Sequence, residues 1–349
     1  MRKNYLDRIE NNIITFSNNS LELRYILTFA VFYSHFFAIY GLTEPSLFWG
    51  AHSLGWYAVN LFFFLSGILV TQSYYNNNFL SYTINRVFRI MPAYILALIV
   101  SVLSVIIFDN LAININLVFQ SIKGIFLWLL PINNIEPAIQ GSWTTSSIPS
   151  SLNGSLWTIS FEVVCYFILL PIILLKNRII LRLMLSAILI YFLFRIGVIL
   201  DNQTIRFDLL RVFNYFIIGI GFYKLIVTKK INFLLILSIL LIITTERNFN
   251  EITINIFIIL LTIYFTFYFT KKTFIKNDYS YGIYLYAWPI SQIVKTYLPN
   301  NGGGEHLFYL KIMLAYLLLL IISFISWHLI EKNVLNMKKK YKNIRISYD

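Results

Sequence analysis

The sequence predicts an all-α polytopic integral membrane protein with about ten transmembrane helices and both termini in the cytoplasm. Three observations predict it. Hydrophobic residues fill 58% of the 349 positions and charged residues only 12%, with a mean hydropathy of +0.71; a water-soluble domain of this length needs far more polar surface. Apolar segments recur at roughly 17 to 25 residues each, the length that crosses a tilted bilayer path. The cations fall on alternate connections between those segments, as the positive-inside rule requires.

Taken in order, the apolar segments are residues 24–41, 56–75, 90–108, 156–175, 179–199, 209–227, 231–246, 252–270, 279–298 and 307–330. Residues 1–20 form a cytoplasmic N-terminal tail, 21–335 the transmembrane domain and 336–349 a basic cytoplasmic tail. The N-terminal tail lacks a continuous apolar core ending in small residues, so no cleaved signal peptide is expected. The longest connection, residues 109–155, contains an apolar stretch at 117–131 that is too short to span and fits an interfacial or re-entrant helix. After it, the Ser/Thr/Asn/Gly-rich loop from Gln140 to Ser155 is expected to cover the outer mouth.

Charge tests this map. One set of connections, from Arg2 through Arg86, Lys176, Lys229 and Lys271 to Arg345, holds 21 of the 28 basic residues. That asymmetry accounts for the net charge of +13 through topology, with membrane lipids and not nucleic acid as the expected partner. The single cysteine, Cys165, excludes an internal disulfide and reads as an apolar filler.

Polar groups interrupt the apolar pattern at few places. Arg24 and His35 lie eleven positions apart, so on a helix they share a face and are separated by roughly 16 Å along the axis. With Arg24 at one membrane surface, His35 lies near mid-bilayer, where an ionisable group faces a polar cavity or bonds a neighbouring helix. Arg86 and Arg89 share a helix face ahead of Pro92, which suits the first turn of a helix. They read either as a phosphate-holding pair or as topogenic charge. Glu162 falls inside the fourth segment and needs a partner, a proton or water; it either balances His35 or bonds an adjacent helix. Trp157 reads equally as an interfacial aromatic. Ser66 and Gly67 allow close helix approach, and Asn60 is a candidate to reach the cavity.

These pieces, in order, resemble a known family. Arg24 with ten residues before His35, Asn60-Leu-Phe-Phe-Phe-Leu-Ser66-Gly67, Arg86-x-x-Arg89-x-x-Pro92, Leu156-Trp157-Thr-x-x-x-Glu162 and Asp278-Tyr-Ser280-Tyr281-Gly-Ile-Tyr284-Leu-Tyr286-Ala-Trp-Pro289 look like the acyltransferase-3 membrane O-acyltransferases. The resemblance covers about residues 20–335. It implies a ten-span fold in the cell membrane that takes an acyl group, usually acetyl, from cytoplasmic acyl-CoA to a hydroxyl, typically on a cell-envelope polysaccharide or lipid-linked glycan. By the same resemblance His35 is catalytic, Arg24, Arg86 and Arg89 lie on the CoA side, and Glu162 and Trp157 match a motif. Glu162 is expected to assist catalysis; Asn60, Trp157 and Tyr281 are expected to contact substrate, with no metal required. Three departures stand out: Asn60 where many members have Asp, Ala287 where many have His before Trp-Pro, and Asn333 where Glu-x-Pro is common.

The expected chemistry is general-base catalysis by the imidazole on the acceptor hydroxyl as it attacks the thioester, with a transient acyl-imidazole as a second route. A glycan or lipid flippase, or a transporter without acyl-transfer chemistry, is the rival reading. A flippase has no use for a CoA-phosphate clamp at Arg86 and Arg89.

Overall fold

A computed structural model describes residues 9–11, 13, 18–47, 52–108, 142–174, 203–229, 236, 249–269, 275, 277–299 and 304–337. Among these the regular secondary structure is helical, joined by turns and loops, with one isolated bridge between Ser46 and Ser53. Five helices are long and apolar enough to cross a membrane: Leu54–Tyr75, Phe79–Phe108, Leu210–Thr228, Phe249–Tyr268 and Glu305–Met337. The expected spans at 179–199 and, but for residue 236, at 231–246 lie outside the described residues, as does the short apolar stretch at 117–131.

The helices are α1 Ser20–Ile39, α2 Leu54–Tyr75, α3 Phe79–Phe108, α4 Trp157–Val164, α5 Gln203–Thr228, α6 Phe249–Ile263, α7 Ser280–Tyr297 and α8 Glu305–Ser326. Wider π turns extend three of them, at Cys165–Leu169 after α4, Tyr264–Tyr268 after α6 and Trp327–Glu331 after α8. After the first, α-helix resumes over Leu170–Leu174 with Pro171 inside it, whose missing N–H removes a regular helical bond. Two compact units emerge. One draws on Met1–Val31, Pro45–Asn78 and Ile159–Lys276, the other on Phe32–Glu44, Phe79–Thr158 and Asn277–Asp349.

In the first unit α2 packs along α5 through two glycines. A Cβ added at Gly67 would lie 2.2 Å from the Phe216 carbonyl oxygen, and one at Gly219 would lie 2.2 Å from that of Phe64. Only hydrogen fits at either position, which is how small residues let helices approach where lipid supplies no hydrophobic drive. Ser53 caps α2 by accepting the Trp56 N–H at 3.3 Å. Polar rungs tie in α6: the Tyr57 hydroxyl donates to Glu251 at 2.6 Å and the Tyr215 hydroxyl to Asn255 at 2.7 Å. The Asn19 amide donates to the Phe265 carbonyl at 3.1 Å in the π turn after α6, satisfying an acceptor beside the widened turn.

In the second unit α7 lies against both α3 and α8. The α3 helix runs 30 residues with Pro92 inside it, which corrects the expectation that Pro92 opens the helix. At 1.5 Å per residue, α3 is about 45 Å long, more than the hydrocarbon thickness. Its early turns, which carry Arg86 and Arg89, therefore extend past a span beginning near residue 90. Burial of Ala93, Tyr94, Ala97 and Leu98 supplies packing that offsets the donor lost at Pro92.

The α1 helix ends where Gly41 takes φ +74°, with its N–H on the Ala38 carbonyl and the Leu42 N–H on that of Phe37, both at 3.0 Å. The loop after residue 141 is not a loose cover. Trp143 is fully buried beside Val105 and Leu152, and the Ser150 N–H bonds back to Ser142 at 2.8 Å. The expected outer lid is, in its described part, a packed element of the core. The Asn153 side chain and the Ser146 hydroxyl are spent on internal hydrogen bonds.

Candidate active site

His35 sits in the second unit, on the part of α1 after Val31. Its ring meets Trp288 of α7 edge to face, with centroids 5.1 Å apart and planes at 78°. Its Nδ1 is buried and has no hydrogen-bond partner among the described residues, while the residue as a whole keeps partial exposure. A buried ring nitrogen without a partner costs stability unless something else uses it. Such a nitrogen is available to take or give a proton.

Trp288 is itself held from behind. Its indole N–H donates to the Ser151 carbonyl at 3.2 Å. Gly154 lies so close that an added Cβ would fall 2.5 to 2.7 Å from three carbons of the indole ring. Asn153 then anchors the same loop by donating to Ser101 of α3 at 3.0 Å and to the Leu285 carbonyl of α7 at 2.9 Å. Beyond it the Thr158 and Tyr284 hydroxyls bond at 2.7 Å. Loop, indole and imidazole thus form one supported stack.

A second polar group lies at the start of α7. Arg89 pairs with Asp278, and its guanidinium lies over the Tyr281 ring, 5.6 Å from the centroid. Asp278 also accepts from the Ser280 hydroxyl and from the Ser280 N–H, the latter at 3.3 Å, so it satisfies the first N–H of α7 while holding Arg89. The Tyr281 hydroxyl donates to the Ile90 carbonyl at 3.3 Å. Buried Glu331 acts electrostatically on Arg89 and accepts from Ser326 at 3.1 Å. Ser326 lies 2.9 Å from the Tyr286 hydroxyl. Arg86 is half-buried one turn before Arg89 on α3, and Trp157 is half-buried at the first position of α4.

The remaining sequence candidates belong to the first unit. Asn60 is fully buried; its carbonyl accepts from Arg211 at 2.9 Å and its amide nitrogen has no partner among the described residues. Arg211 also covers the Trp56 ring at 4.8 Å. Glu162 accepts from the Tyr166 hydroxyl, whose oxygen lies 3.1 Å from Ser66 Oγ. Arg24 is half-buried on the early turns of α1. Of the predicted residues the structure brings Arg89 and Tyr281 together, and His35 gains Trp288. Sequence reasoning assigned no role to Trp288, Asp278 or Arg211. The first two lay inside the quoted Asp278-to-Pro289 motif, and Arg211 lies outside every quoted motif.

With that geometry in place, comparison with known proteins becomes informative. The model of the acyltransferase-3 family, described as an acyltransferase domain, matches residues 18–331. The chain belongs to the acyltransferase-3 family. As a member of it the protein is a membrane acyltransferase, and the match takes in every candidate site residue named above. It is also similar to an O-acetyl transferase of Shigella phage Sf6, 28% identical over 335 residues that cover 89% of this chain and 94% of the relative. No solved structure matches. Among the described residues, no group of three or more His, Cys, Asp or Glu side chains is placed to hold a metal ion.

Proposed function

We propose that this acyltransferase moves an acetyl group from cytoplasmic acetyl-CoA to a hydroxyl of a cell-envelope glycan at the cell membrane, with His35 as general base. The observation that carries the reading is His35 Nδ1, buried without a partner among the described residues on a ring braced by Trp288. Acetyl as the group transferred draws support from the name of the phage relative, an O-acetyl transferase.

In this scheme a neutral imidazole nitrogen takes the proton of the acceptor hydroxyl as its oxygen attacks the thioester carbonyl. The new C–O bond forms, the C–S bond breaks, and the imidazolium returns the proton to the departing thiolate. Arg86 and Arg89 receive the CoA phosphates from early α3, a task suited to guanidiniums. The Asp278 contact fixes the direction of Arg89. Arg24 is assigned to the same donor, and Trp157 and Tyr281 to substrate contact. The roles given to Glu162 as a charge-balancing carboxylate and to Asn60 as a substrate contact rest on their motif positions. Each sits in a defined polar setting, Glu162 with Tyr166 and Asn60 with Arg211.

The test is glycan O-acetylation, measured by NMR and mass spectrometry in cells with and without the gene, together with acetyl transfer from labelled acetyl-CoA in isolated membranes. Loss of O-acetyl signals with the gene supports the reading. Unchanged acetylation, with no label transferred by membranes containing the protein, contradicts it.

A further inference from the structure

Two buried lysines stand together at one end of the second unit. Lys295 lies in the last turn of α7 and is 8% exposed; Lys311 lies two turns inside α8 and is 5% exposed. Both ammoniums sit against the Tyr40 ring, with Nζ 4.6 Å and 5.5 Å from its centroid, so the two like charges are within about 10 Å of each other. The described residues offer them little compensation. Lys311 donates to the Pro299 carbonyl at 3.0 Å, but the neighbouring Leu298 carbonyl already accepts the Tyr40 hydroxyl at 2.9 Å. Among the described residues Lys295 makes no hydrogen bond and neither lysine meets a carboxylate. The ring face and the carbonyl end of α7 offset part of this charge. Two buried cations that meet no carboxylate among the described residues remain expensive.

Depth indicates which anion suits this pair. The adjoining helix ends carry Tyr297 and Tyr309, 61% and 49% exposed, the arrangement of tyrosines that sit at headgroup level. Lipid phosphates occupy that level, and an ammonium binds phosphate as a point charge. We propose that Lys295 and Lys311, with the Tyr40 ring as floor, form a binding site for the phosphate of a lipid. The phosphate belongs either to a bilayer phospholipid or to a polyprenyl-phosphate carrier. The site stands apart from the acyl-transfer reading and does not depend on it.

Native mass spectrometry of the full chain in detergent tests this with three probes: phosphatidylglycerol, polyprenyl phosphate and zwitterionic phosphatidylcholine. A preference of about tenfold for either anionic probe over phosphatidylcholine is expected, and the probe preferred names the source. The Lys295→Gln/Lys311→Gln double variant should abolish that preference, whereas Tyr40→Phe, which keeps the ring, should retain it. Photocrosslinking the preferred lipid to the wild-type chain should label peptides around positions 295 and 311, which locates the site without any variant. No preference for an anionic probe, or labelling confined elsewhere, would overturn the proposal.

Discussion

Trp288 holds His35 by the edge of its ring, at 5.1 Å between centroids and 78° between planes. The indole is fixed in turn by its hydrogen bond to the Ser151 carbonyl. Trp288 is therefore a positioning residue in this account. Trp288→Leu should lower kcat about tenfold or more while leaving the KM for acetyl-CoA nearly unchanged, and Trp288→Phe should fall between. Steady-state kinetics on purified enzyme check this. Equal losses in kcat and donor binding would mean that the indole shapes the donor site instead.

Gly154 tests the same stack from its far side. Because a Cβ there would sit 2.5 Å from the indole, Gly154→Ala should destabilise the protein by about 1–3 kcal/mol through overpacking. Thermal unfolding in detergent reads the first effect, and a fall in kcat reads the displaced ring. Gly304→Ala is the control, since an added Cβ there meets nothing within 4 Å; it should stay within about 0.5 kcal/mol of wild type.

The glycine contact between α2 and α5 predicts reciprocity. Gly67→Ala and Gly219→Ala each force a methyl onto the opposing backbone, so each should cost about 1–3 kcal/mol. The double variant should cost less than the sum, because one separation of the helices relieves both clashes. Unfolding of the four members of this cycle gives the answer, and strict additivity would show that the helices yield locally.

Arg89 and Asp278 form a pair that joins α3 to the start of α7. Arg89→Gln and Asp278→Asn should each weaken stability and raise the KM for acetyl-CoA, with a coupling of about 0.5–3 kcal/mol in the double-mutant cycle. An Asp278→Asn enzyme with unchanged donor KM would separate the ion pair from donor binding.

Much of this was legible in the sequence, for physical reasons that differ by element. Hydropathy located α2, α3, α5, α6 and α8 because a span must be apolar over its whole length. Motif order singled out His35 and Arg89 as candidates because charged and imidazole groups are conspicuous among apolar residues. The start of α3 was misplaced: Pro92 read as a boundary, yet packing of Ala93 and Tyr94 carries the helix through it. The loop after residue 141 read from its composition only as a cover for the outer mouth. Its polar atoms instead bond Ser101, Leu285 and one another, a pairing that depends on residues more than fifty positions apart. Asp278 and Trp288 escaped for a related reason. An acid that bonds the first N–H of one helix and pairs with another, or an indole that braces an imidazole, declares its role only when distant segments meet.

The most direct test of the central claim is acetyl transfer by a His35→Ala enzyme that is still inserted in the membrane and still unfolds like wild type. Removal of a general base predicts a loss of roughly 10²–10⁴-fold in kcat, with O-acetyl signals gone from the glycan of cells that carry the variant. Transfer within about threefold of wild type would contradict it, since no proton acceptor at position 35 would then be needed.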